Sequence, residues 1–196
     1  MALPDNNSRS AMMQTGEAHF TFPVPYEQAE ILKSKSNIVL DAAPSIVHRY
    51  LSMNVQQKPF DNVKVREAIN YAINRDIMIQ IIGSGYGKAT SSVFASYSKG
   101  YVKSLDSAYS YDLAKAKALM KEAGYENGFK LSMPSVAVLP AAGYQAIKDA
   151  LAAINITVEY SDVPLNEFFT QILTPKFPAF LMFLERSSND WTFIKF

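Results

Sequence analysis

KPFDNVKVREAINYAINRD, residues 58–76, is the stretch from which the fold is read. Pro59 stops an extended run, and the residues after it switch to helical spacing. Val65, Ala68, Ile69, Ala72 and Ile73 fall on one face and form an apolar stripe. Asp61 or Asn62 is placed to cap that helix, because a short side-chain oxygen accepts from its first free N–H groups. Asn74 is placed to cap a second helix, which carries Ile77, Met78, Ile81 and Ile82 and ends at Gly83 or Gly85.

Downstream, residues 86–110 mix small and aromatic residues without a sustained period, which predicts a long irregular excursion. Regularity returns at Asp112, where Ala116, Leu119, Met120 and Ala123 make a stripe that Gly124 ends. Phe129, Leu131 and Met133 then alternate as in a strand. A helix with Ile147, Leu151 and Ile154 leads to the strand ITVEY. A helix with Leu165, Phe168, Phe169 and Ile172, stopped by Pro175, leads to the apolar run AFLMFLE, residues 179–185. An unbroken apolar run of that length predicts a strand covered on both faces. Strands alternating with helices predict a right-handed, mostly parallel α/β arrangement.

Upstream, residues 4–18 predict a short helix. HFTFPVP predicts two or three strand residues before Pro23 and Pro25 interrupt them. YEQAEILKSK predicts a helix and NIVLDA a short strand. Residues 46–55 predict an extended strand with Val47, Arg49, Leu51 and Met53 on one side.

The composition bounds the function classes. The chain has 196 residues, 48% hydrophobic and 19% charged, enough for a real core in one large domain or two small ones. A formal charge of +1 gives no electrostatic case for nucleic acid or an anionic membrane as partner. With no cysteine, disulfides and thiolate zinc sites are excluded. No basic-then-apolar leader stands at the N-terminus and no apolar run is long enough to span a bilayer, so the chain reads as soluble and without a signal peptide.

Two longer segments, YLSMNVQQKPFDNVKVREAINYAINRD and YDLAKAKALMKEAGYENGF, together with PDNNSRSAMMQTGEAHFTFPVP upstream, resemble the family 5 extracellular solute-binding proteins. These are the peptide-, glutathione- and nickel-binding receptors of bacterial ABC importers, and PSIVHRYLSMNVQQKPFDN is most similar to the glutathione-binding branch. His19 departs from the family pattern, which has an Asp there. The resemblance implies an α/β fold: one lobe, plus part of the other, of a type II periplasmic-binding-protein-like architecture with a mostly parallel sheet flanked by helices. It implies that residues 1–50 are an incomplete remnant of the first lobe and the hinge strand. Residues 51–196 would be the second, C-terminal lobe, truncated at its end, and the chain a fragment of a longer protein. It further implies a periplasmic or cell-surface location, a monomer, a peptide or glutathione ligand, ABC permease subunits as partners, and no cofactor.

The same resemblance implies that Asp190, in SSNDWTF, faces a ligand α-amino group with Trp191 beside it. A partly desolvated carboxylate paired with an ammonium makes a strong charge-assisted hydrogen bond. The bland alternative is a polar loop, and TFIKF does not match the family's continuation. Arg186 and Arg49 could each take a ligand carboxylate bidentately, although a lone Arg is more often solvated. Asn54, where the extended run would cross between lobes, could bond ligand backbone or simply the hinge. Arg66 and Asp76, with Pro59, Asp112 and Gly124, are read as structural markers. Tyr50, Tyr97, Tyr101 and Tyr144 could line a pocket or belong to core and rim. His19 and His48 lack partners at metal spacing, so no metal is expected, and GSGYG lacks the Lys-Ser/Thr of a phosphate loop.

Three readings follow. The first is a non-catalytic binding module that captures ligand between two lobes and delivers it to a permease. The second is a structural remnant without ligand affinity. The third is a hydrolase using Asp190 or Asp162 with a Ser, for which no G-x-S-x-G elbow and no Ser-associated His are found.

Overall fold

A computed structural model describes residues 5–42, 47–94, 96, 98–137 and 139–185. Helices α1 (Asn6–Thr15) and α2 (Tyr26–Lys33) come first, then strand β1 (Val47–Met53). Helices α3 (Val63–Ala72) and α4 (Arg75–Gly83) follow, with one 3-10 turn at Lys103–Leu105 in the excursion beyond. The remainder is α5 (Leu113–Glu122), β2 (Phe129–Ser135), α6 (Ala141–Ala152), β3 (Ile156–Asp162), α7 (Leu165–Ile172) and β4 (Ala179–Glu185).

The caps read from the sequence form. Asn62 accepts from the Lys64 N–H, Asn74 from those of Asp76 and Ile77, and Asp112 from that of Lys115. Each answers donors that the first helical turn leaves without an internal partner. The stripe of α3 is buried at Val65, Ala68, Ile69 and Ala72. That of α4 divides: Met78 packs on the core, while Ile77 and Ile81 are exposed.

One hydrophobic core gathers Phe60, the stripes of α3 and α5, Leu131 and Met133 of β2, Ile147 and Leu151 of α6, and Ile156 and Val158 of β3. Burying each of the larger side chains contributes about 1.5–3 kcal/mol. Phe60 arrives there from the cis Lys58–Pro59 peptide, and its ring meets Phe129 edge-on at 6.1 Å. Arg66 donates to the carbonyls of Phe60 (2.7 Å) and Asp61 (3.3 Å), tying the turn to the helix that follows it. Gly128, at φ 70°, passes so close to β3 that a Cβ would stand 1.7 Å from the Asn155 carbonyl oxygen. A second, smaller cluster joins Val136, Val163, Phe168 and Phe177.

The sheet differs from expectation. Among the described residues only β2 and β3 pair in parallel, from Phe129 opposite Ile156 to Ser135 opposite Asp162. Strand β4 lies near β2 but forms its ladder antiparallel with β1, from Val47 opposite Glu185 to Met53 opposite Ala179, in a separate two-stranded sheet. The expected mostly parallel sheet is therefore corrected to two small sheets of opposite sense. The reason is that the extended run before Pro59 offers a complete backbone edge, and Leu51 and Met53 of β1 pack against the same core as Leu181. On β4, Ala179 is fully buried and Phe180, Leu181 and Met182 partly so.

Two expected strands do not form. Residues 19–25 make bends around a cis Phe22–Pro23 peptide, and residues 37–42 are irregular with Val39 95% exposed. Prolines remove ladder donors from the first, and neither finds a partner strand among the described residues.

Candidate functional site

Open α/β sheets bind ligands beyond the carboxyl ends of their parallel strands. Here those ends are Ser135 of β2 and Asp162 of β3, which the parallel register sets side by side. The Ser135 Oγ donates to Asp162 Oδ1 at 2.5 Å, and the Val163 N–H donates to the Ser135 carbonyl at 2.9 Å. Helices α6 and α7 both begin at this edge. Each has a proline at its N-cap, Pro140 and Pro164, with no side-chain cap. Their first-turn N–H groups and positive dipole ends thus face the same side as Ser135 and Asp162, an arrangement suited to a carboxylate.

Behind the edge, Tyr144 of α6 and Tyr160 of β3 meet edge-to-face at 4.9 Å. The Tyr160 hydroxyl donates to the Tyr144 carbonyl at 2.9 Å, and the Tyr144 hydroxyl accepts from the Val136 N–H at 2.9 Å. Burial pushes both phenols up, so each stays neutral and serves as a fixed hydrogen-bonding strut.

An open hollow of about 560 Å³ lies at the other end of these strands, bordered by Asn127, Lys148, Asn155 and Thr157. It is wide to solvent, and the polar residues that border it are themselves exposed. The carboxyl edge, where Ser135 and Asp162 lie side by side and both α6 and α7 begin, is the better candidate.

The residues singled out in the sequence scatter around this frame. Asn54 follows β1; its N–H donates to the Pro178 carbonyl (2.8 Å) and its Oδ1 accepts from the Gln56 N–H (3.0 Å), which stitches β1 to the start of β4. Arg49 is exposed on β1, with Tyr50 beside it 36% exposed and its phenol pushed up by burial. Tyr101 donates to Asp106 and Tyr144 is buried, so both act as internal struts. Asp76 lies in the first turn of α4, where its charge suits the helix dipole. Gly124, at φ 79°, ends α5. Arg186, Asp190, Trp191 and Tyr97 lie outside the described residues.

Ser135, Tyr160 and the paired helix starts were not anticipated. The signal available was positional: both Pro140 and Pro164 stand where a strand gives way to a helix. The Ser135–Asp162 pair resembles part of a hydrolytic arrangement, but Ser135 donates straight to the carboxylate with no imidazole between them. Among the described residues no group of three or more His, Cys, Asp or Glu could hold a metal ion, and no helix is long and apolar enough to cross a membrane.

The comparisons with known proteins agree with this architecture. Residues 1–192 match the middle region of the bacterial extracellular solute-binding proteins, family 5. The glutathione-binding protein GsiB of Escherichia coli strain K12 is 54% identical over 134 residues, which is 67% of this chain and 25% of that protein. GsiB of Shigella flexneri serotype 5b is 55% identical over 132 residues, 67% of this chain and 26% of that one. Among solved structures, the periplasmic binding protein DppA of Helicobacter pylori, in complex with the peptide STSA, superposes with a TM-score of 0.81 at 30% identity. That match covers 95% of this chain and 36% of DppA. AppA of Clostridium difficile, at 22% identity, shares the fold with a TM-score of 0.83 over 93% of this chain and 39% of its own. The chain thus spans about a quarter of the length of the curated relatives it matches. It belongs to the bacterial extracellular solute-binding proteins, family 5.

Proposed function

We propose that this chain supplies one ligand-binding wall of a peptide or glutathione receptor that serves a bacterial ABC importer from the periplasm or cell surface. The observation that carries the reading is the identity with the glutathione-binding proteins across two thirds of the chain. Residues 51–196 act as one lobe, and residues 1–50 as a remnant of the opposite lobe and the hinge strand. Ligand is held between the carboxyl edge of β2 and β3 and that opposite lobe, and closure presents the loaded receptor to the permease. The work is binding, with no catalytic step. In this reading Asp190 takes the ligand ammonium with Trp191 against its aliphatic part, and Arg186 takes a carboxylate together with the starts of α6 and α7. Asn54 holds the hinge.

A receptor that encloses its ligand divides the contacts between two walls. The cost of immobilising the ligand stays the same with one wall, at several kcal/mol. Micromolar affinity corresponds to about −8 kcal/mol, so losing about half of it leaves roughly millimolar binding. Calorimetry of the 196-residue chain with glutathione and with a tetrapeptide should therefore give no measurable heat. Extending the chain to the length of its relatives should restore binding, and Asp190→Ala should weaken it by at least tenfold. Cleavage of the peptide, or sub-micromolar binding by the present chain alone, would overturn the proposal.

A further inference from the structure

The N-terminal pair of helices is internally tied. Arg9 donates to Asn6 Oδ1 and to the Pro23 carbonyl, and Gln28 donates to Asn7 at 3.2 Å. Among its contacts with the rest of the molecule is Tyr86, a residue far along the chain, and Ala29 and Leu32 of α2 are buried as well. Tyr26 and Glu30 sit four apart on α2 and so share a face. Tyr86 engages both at once: its ring stacks on Tyr26 at 5.9 Å and 14°, and its hydroxyl donates to Glu30 Oε1 at 2.7 Å.

The backbone carrying Tyr86 is unusual. Ser84, Gly85 and Gly87 have φ of 47°, 87° and 151°, so left-handed geometry surrounds the aromatic residue on both sides. Steric room does not require glycine there. A Cβ at Gly85 or Gly87 would meet only the side chains of Gln80 (3.4 Å) and Ile79 (3.5 Å) at ordinary contact. What the glycines supply is the positive φ on either side of Tyr86, which a residue with a side chain would adopt only under strain. On its N-terminal side the turn is fastened to α4, Gly85 N–H donating to the Ile79 carbonyl and Tyr86 N–H to that of Gly83.

We propose that Tyr86 is a latch that clamps the α1–α2 unit to the body, with the glycine-flanked turn as its pivot. The Tyr86 side chain holds the face of α2 that carries Tyr26 and Glu30, and the pivot lets that side chain let go without unwinding α4. The unit then moves whole, because its own hydrogen bonds do not depend on the latch.

The chain has no cysteine, so two can be introduced for spin labels without background. Ala11→Cys on α1 and Lys117→Cys on α5 are both exposed. Double electron–electron resonance should give a narrow distance distribution in this parent. Tyr86→Leu should at least double its width, Tyr86→Phe should widen it less, and Glu30→Gln, which keeps an acceptor, should leave it unchanged. Tyr101→Phe, in the same excursion, should also leave it unchanged. Amide exchange across residues 26–33 should rise at least fivefold in Tyr86→Leu, with residues 63–72 unaffected. An unchanged distribution in Tyr86→Leu overturns the latch. So does a rise in exchange spread equally over residues 63–72, which would make Tyr86 an ordinary contributor to global stability.

Discussion

Helices α1 and α3 are each ten residues long, and each starts on a side-chain cap, Asp5 accepting from the Ser8 N–H and Asn62 from that of Lys64. Their burial differs sharply. Helix α3 hides Val65, Ala68, Ile69 and Ala72, whereas the one buried residue of α1 is Ser10. Around α1 the connecting segments leave Phe20 82%, Phe22 80% and Val39 95% exposed. Local signals start both helices equally well. What separates them is tertiary company, since most helix stability in proteins comes from packing one face.

The sharpest way to break this comparison uses one residue type in both regions. Gly128 and Gly16 both have positive φ, at 70° and 81°, but a Cβ at Gly128 overlaps the Asn155 backbone while one at Gly16 meets nothing within 4 Å. Gly128→Ala should cost more than about 4 kcal/mol in denaturant unfolding or abolish folding, and Gly16→Ala no more than about 1–2 kcal/mol. Equal effects would mean that the β2–β3 approach is looser than described.

Core truncation comes next. Ile69→Ala should lower stability by about 2–5 kcal/mol, against less than about 0.5 kcal/mol for Met12→Ala on α1. The corresponding unfolding midpoints decide it, and a Met12→Ala loss as large as that of Ile69→Ala would refute the contrast. Amide exchange sharpens the same point: residues 6–15 should exchange orders of magnitude faster than residues 63–72 in the monomer. A cap substitution is smaller again. Asn62→Ala should cost about 1 kcal/mol, measured as a shift of the global midpoint, and no shift would argue that α3 is held by packing alone.

The smallest effect concerns a third kind of region, the excursion after α4, which polar contacts hold together. Asp106 accepts from Lys88 (2.7 Å), Tyr101 and Thr90 (2.7 Å), and these bonds draw its carboxyl down from 3.8 to about 2. A depressed carboxyl contributes stability that is fully present above 3.8 and is lost as pH falls through about 2. The ring signals of Tyr101 should therefore titrate near 2 in nuclear magnetic resonance spectra while those of α3 hold. A midpoint at 3.8 would show that the Lys88 and Tyr101 contacts are not made in solution.

The elements from α3 to β3 were legible because short-range rules govern them. Asn62, Asn74 and Asp112 cap where a short polar side chain meets an apolar stripe, and Phe129, Leu131 and Met133 alternate as a half-buried strand must. The failures share a cause. HFTFPVP and NIVLDA have strand-like composition, yet a strand exists only when another backbone edge accepts it, and composition carries no record of that edge. The antiparallel union of β1 with β4 was invisible for the same reason, being set by Leu51, Met53 and Leu181 meeting one core from distant parts of the chain. Asn54, singled out from the sequence, bonds the backbone at Pro178 and Gln56. The adjacency of Ser135 and Asp162 exists only once β2 and β3 are in register, so no local pattern announces it.

The pairing of β1 with β4 also bears on how the segment between them can be handled as a unit. The strand that brings the polypeptide in lies beside the one that carries it out, and at the inner end the Asn54 N–H is 2.8 Å from the Pro178 carbonyl. Everything between those residues leaves and returns through a single doorway. A stretch with neighbouring ends can be spliced into a foreign host, or circularly permuted, with a short linker and little disturbance to either party. Residues 47–185 are accordingly a portable cassette: both strands travel with the core that Leu51, Met53, Ala179 and Leu181 help to form, and splicing by the neighbouring ends at Val47 and Glu185 should preserve the α3–β2–β3 core.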